Sequence, residues 1–85
     1  MGTLVAERIR KTIYDDGNDI LYINFTNYTP YSYADDGPVG IEIMRSMETN
    51  EAVGLVIYYP KGKQKDRQEK LKNMGYNFQI RDFIQ

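Results

Sequence analysis

The chain contains no cysteine and no histidine. Without cysteine there can be no disulfide, thiolate zinc site, iron–sulfur cluster or sulfur nucleophile, and the lack fits a reducing compartment. Without histidine the commonest general acid–base and the commonest metal ligand are both gone. Few reaction mechanisms survive the two absences together, so a non-enzymatic protein without a cofactor is expected. Also missing is any run approaching ~18 consecutive apolar residues, the length of a membrane span. Met1 to Arg8 holds no long apolar core of the kind a signal peptide needs. The expectation is a cytoplasmic protein with no membrane partner.

What is present is short: 85 residues, enough for one domain spanning 1–85. Domains of this size bury only about 60% of the surface their unfolded chains expose, and here no disulfide staples the fold. A second copy covering apolar surface is therefore expected, most simply as a homodimer. Charge is nearly balanced overall but unevenly placed. Residues 1–60 carry four basic against nine acidic side chains, whereas residues 61–73 carry six basic against two acidic.

Alternation marks a strand over residues 7–14, with Ile9 and Ile13 on one face, and another over Ile20 to Phe25. Asp15, Asp16, Gly17, Asn18 and Asp19 lie between them as a hairpin turn. Residues 27–38 interleave tyrosine with turn formers and predict a long loop or a short edge strand. A strand is expected over residues 39–45, with Val39, Ile41 and Ile43 on one face, then a turn, then a strand over residues 52–59 closed by Pro60. Good helix formers predict a helix over residues 63–74, capped by Gly75 and anchored only through Leu71 and Met74. Residues 76–84 alternate again and predict a last strand. The fold expected is α+β: an antiparallel meander of four to five strands with one C-terminal helix.

Tyr14, Asp15, Asp19, Tyr22, Val53 and Gly54 follow a recognisable order: a tyrosine–aspartate turn, an aspartate leading into an aromatic strand, and a valine–glycine opening an aliphatic strand. Over residues 9–59 the chain resembles the small bacterial proteins catalogued as domain of unknown function 2283. The resemblance implies a compact β-sheet protein with a helix and supplies no activity. Because such proteins often neighbour toxin-like ones, it also suggests an antitoxin-like or inhibitor-like role.

Three groups of residues are candidates for function. Tyr28, Tyr31 and Tyr33, set among small polar residues and followed by Asp35 and Asp36, have the composition of a recognition loop, in which tyrosine supplies rigid amphipathic area. The same tyrosines could equally cover an apolar sheet face with their hydroxyls in water. Lys61, Lys63, Lys65, Arg67, Lys70 and Lys72 could neutralise phosphates, but Asp66 and Glu69 interrupt the run and the acidic body would repel a polyanion. Asp15, Asp16 and Asp19 could gather round a hard cation, but their spacing is not that of a calcium loop, and a tight turn explains them better. The leading expectation is a regulatory module that binds another protein. A nucleic-acid binder using the basic helix, and a small-molecule binder or weak hydrolase, are the alternatives.

Overall fold

The computed structural model describes residues 9–26 and 31–85. Five strands, β1 (Lys11–Asp15), β2 (Ile20–Asn24), β3 (Ser32–Asp36), β4 (Ile41–Ser46) and β5 (Ala52–Tyr58), precede one helix, α1 (Gln64–Asn73), and a 3-10 turn over Ile80–Asp82. All strand pairs are antiparallel and the spatial order is β1-β2-β5-β4-β3. The fold is thus α+β, a β1–β2 hairpin and a β3–β4–β5 meander joined where β5 pairs with β2. A simple meander of the expected strands would have set β2 beside the strand expected over residues 39–45, which is β4. Composition explains the difference: β2 and β5 are the apolar strands and take the centre, while the polar β3 tolerates an edge. Gly54 is part of that seam, because a Cβ there would lie 2.6 Å from the carbonyl oxygen of Ile23.

One face of the sheet carries the core. Leu21 and Ile23 of β2, Ile41 of β4, and Leu55 and Ile57 of β5 pack with Leu71 of α1 and with Phe78, Ile80 and Ile84. The helix ends in a Schellman motif. Gly75, at φ +98°, donates to the Lys72 carbonyl, and Tyr76 donates to the Leu71 carbonyl. The expected pair of anchors, Leu71 and Met74, is incomplete: Arg67, a turn earlier, is buried and donates from Nε to the Tyr58 carbonyl at 2.7 Å.

Three other expectations are corrected. Residues 76–84 form no strand, although their apolar side chains do face the core. Their backbone is held by a side chain instead of a neighbouring strand: Gln68 Nε2 donates to the Phe78 carbonyl and Gln68 Oε1 accepts from the Ile80 N–H, both at 2.8 Å. Ile9 packs against the core, but Ile13 does not share its side and is 52% exposed. Val39 lies outside β4, in the turn from Gly37 to Gly40, and is 80% exposed. That turn is too tight for side chains at its ends. A Cβ on Gly37 would meet the Ile41 carbonyl oxygen at 2.8 Å, and one on Gly40, at φ +90°, would fall on the guanidinium of Arg67.

Candidate functional site

The residues expected to meet a partner fall on or beside the edge strand β3. Tyr28 lies outside the described residues. Tyr31 stands immediately before β3 and is 87% exposed. Tyr33 is within β3 and its hydroxyl donates to Asn50 Oδ1 at 2.8 Å. Asp35 accepts from Arg45 Nε at 2.7 Å, while Arg45 also donates to the Asn50 carbonyl. This pairing raises the Arg45 pKa above its ordinary value, the hydrogen bond to Asp35 being the main cause. Asp35 therefore braces the β3–β4 ladder, whereas Asp36, at the end of the strand, is exposed.

The register fixes which backbone groups of β3 face outward. Gly37 donates to the Ile41 carbonyl and Met47 to the Tyr31 carbonyl. In an antiparallel ladder the hydrogen-bonded pairs recur every second residue, so Tyr33 and Asp35 also turn their N–H and C=O groups towards β4. Ser32, Ala34 and Asp36 turn theirs away from it. Among the described residues no strand pairs with that outer edge. Met47, 65% exposed and bonded through its backbone to Tyr31, joins the two tyrosines at the same end. Sequence reasoning missed it, because a methionine inside a turn carries no periodic signal.

The basic run does not act as one patch. Arg67 is buried, and besides the Tyr58 carbonyl it contacts Asp66. Lys70 pairs with Asp66 at 3.0 Å and donates to the Val39 carbonyl at 3.1 Å. Lys70 is the first cause of a lowered Asp66 pKa. Lys61, Lys63, Lys65 and Lys72 remain as exposed cations. Two of these, Lys65 and Lys72, join Arg81 around an open groove of about 740 Å³ beside Tyr76, whose ring stacks on Phe25. Arg81 entered no earlier pattern, since the run had already ended at Lys72.

The acidic turn between β1 and β2 is built as a latch. Asp15 accepts from the backbone and side-chain nitrogens of Asn18, and these bonds lower its pKa. Asp19, at φ +55°, accepts from the Tyr14 hydroxyl at 2.8 Å and from the N–H groups of Lys61 at 3.1 Å and Gly62 at 2.9 Å. Burial pushes the Asp19 pKa up, but the Gly62, Lys61 and Tyr14 donors outweigh it and leave it lowered. Tyr14 shows the reciprocal effect, its pKa raised to about 12 by desolvation and by Asp19. Carboxylates held ionised in this way are ill suited to acid–base work near neutrality. Neither protein-family models, nor curated proteins, nor solved structures match this chain.

Proposed function

We propose that the protein is a binding and regulatory module, antitoxin-like or inhibitor-like and without catalysis of its own, that receives an extended segment of a partner protein along β3. The open hydrogen-bonding edge of β3 carries this reading. Ser32, Ala34 and Asp36 offer backbone donors and acceptors at the spacing an added strand requires, and Tyr31, Tyr33 and Met47 supply exposed side-chain area beside them. Main-chain bonds of this kind give affinity, and flanking pockets and aromatics give specificity. The acidic body favours a basic partner, mostly by raising the on-rate. The domain of unknown function 2283 resemblance agrees with such a role.

Ala34→Pro tests the reading directly. The Ala34 N–H points away from β4, so proline there leaves the β3–β4 ladder intact and removes only the outward donor. Affinity capture from the host should recover one stoichiometric protein with the wild type, lose it with Ala34→Pro, and weaken it with Tyr31→Ala. Equal capture by a folded Ala34→Pro variant would reject the β3 edge. The groove lined by Lys65, Lys72 and Arg81, with Glu69 as its one carboxylate, supports a second reading, an anionic or nucleic-acid ligand. It is distinguished by loss of binding at high salt.

A further inference from the structure

The β3 edge is acidic, and the register shows how its charges are placed. Residues 31–51, which hold β3, β4 and the turns beside them, carry Asp35, Asp36, Glu42, Glu48 and Glu51 against Arg45 as their one cation. Side chains alternate across a strand. Tyr33 and Asp35, opposite Arg45 and Ile43, therefore lie on the helix side of the sheet, while Ala34 and Asp36, opposite Met44 and Glu42, lie on the other. On the helix side the charge is closed, since Asp35 accepts from Arg45 Nε. On the other side Asp36 stands directly across from Glu42, and like charges so placed repel. Glu42 accepts from the neutral Tyr58 hydroxyl at 3.0 Å, which leaves its charge in place. Asp36 is exposed and has no hydrogen bond or ion pair through its side chain among the described residues. Arg67 and Lys70, the cations that α1 brings to the turn before β4, both pair with Asp66 instead.

We infer that the partner segment added to β3 carries a lysine or arginine opposite Asp36 and a bulky apolar residue two positions away, opposite Ala34. The inference rests on the reading of β3 as the receiving edge and gives that edge a sequence preference. A strand laid along β3 sets directly opposed side chains about 5 Å apart on one face. A basic side chain opposite Asp36 meets that carboxylate at once. Its length also lets it lean towards Glu42, one strand spacing of ~4.8 Å further on, and so relieve the repulsion between the two. A carboxylate at that position would instead be the third negative charge in one row. Opposite Ala34 the surface is low. The alanine is exposed and its neighbour in the row, Met44 of β4, is half-buried, so a long apolar side chain can pass over the methyl group to reach it. The two positions share a face at the two-residue period whether the added strand runs parallel or antiparallel to β3.

Selection from a displayed library of random peptides of about ten residues, the upper length of a strand, reads the preference. It is run at low ionic strength against the whole wild-type chain and against Ala34→Pro. Peptides kept by the wild type and lost by Ala34→Pro should be enriched in lysine or arginine at one position and in bulky apolar residues two positions from it. In a synthetic peptide of that pattern, glutamate in place of the basic residue should weaken binding roughly tenfold, measured by fluorescence anisotropy. Asp36→Lys should reverse the order and favour the glutamate peptide, and Asp36→Asn should narrow the difference. Circular dichroism confirms that the variants fold. Peptides that need the β3 edge yet show no basic preference overturn this inference and spare the reading of the edge. A basic preference that Asp36→Lys leaves unchanged does the same. Peptides that bind Ala34→Pro as well as the wild type, or a library that yields no binder, overturn both.

Discussion

Arg67 and Gly40 illustrate how far a single residue's role can depend on a distant one. In the sequence Arg67 is one cation in a basic run, and a solvated helix face is its plain interpretation. In the fold it is buried, bonded to the Tyr58 carbonyl and laid against Gly40, twenty-seven positions earlier. No local pattern could reveal this, because the acceptor is a backbone carbonyl and the contact is to a residue without a side chain. Gly40→Ala would place a methyl group on the guanidinium and force an alanine into a left-handed conformation. A loss of about 2–4 kcal/mol is expected, measured by urea unfolding. Asp19 is the opposite case, since its place in a turn was legible but its bonds to Lys61 and Gly62 were not. Its pKa is lowered in the folded state, so the unfolded chain binds more protons in acid. The stabilisation is therefore complete above about pH 4 and is lost as pH falls towards the lower folded value. Asp19→Asn should destabilise the protein at pH 7, and the gap between variant and wild type should narrow below about pH 4 in pH-resolved unfolding.

Elements with their own periodicity or punctuation were legible. The alternation of β2 and β5, the turn at Asp15 to Asp19 and the glycine that ends α1 all lie where local rules put them. The C-terminal segment was misread for a physical reason. Tyr76, Phe78 and Ile80 alternate as in a strand because they pack on one side of an extended chain, yet that chain has Gln68 rather than a ladder for its partner. Burial pattern and hydrogen-bond pattern are separate requirements, and only the first is written as periodicity. Gln68→Ala would leave the Phe78 carbonyl and Ile80 N–H unpaired at the margin of the core. The expected cost is about 1–3 kcal/mol, with faster hydrogen exchange at Ile80 before global unfolding. If Ile80 keeps its protection in that variant, the clasp is not what holds the segment. The candidate site was legible to the same degree: tyrosines near an edge could be seen, but not which of them the β4 ladder holds, nor that Met47 joins them.

Across the whole molecule, two faces and two edges follow from one choice, the pairing of β2 with β5. It puts the most apolar strands at the centre, leaves polar β3 outermost, and turns Ile13, Tyr22, Val56 and Met44 to the side of the sheet away from the helix. Residue spacing could suggest apolar surface on both faces, as in β5, but not which strands would be neighbours. The same seam also divides the chain in time. The β1–β2 hairpin and the β3–β4–β5 meander each close over short separations, whereas Asn24 and Gly54 must find each other across a far longer stretch. Loop-closure entropy is lost before such contacts can repay it. On that argument the two halves are expected to close before they join, and a side chain at Gly54, where β2 and β5 pass closest, should slow folding and not merely speed unfolding, as stopped-flow kinetics would show.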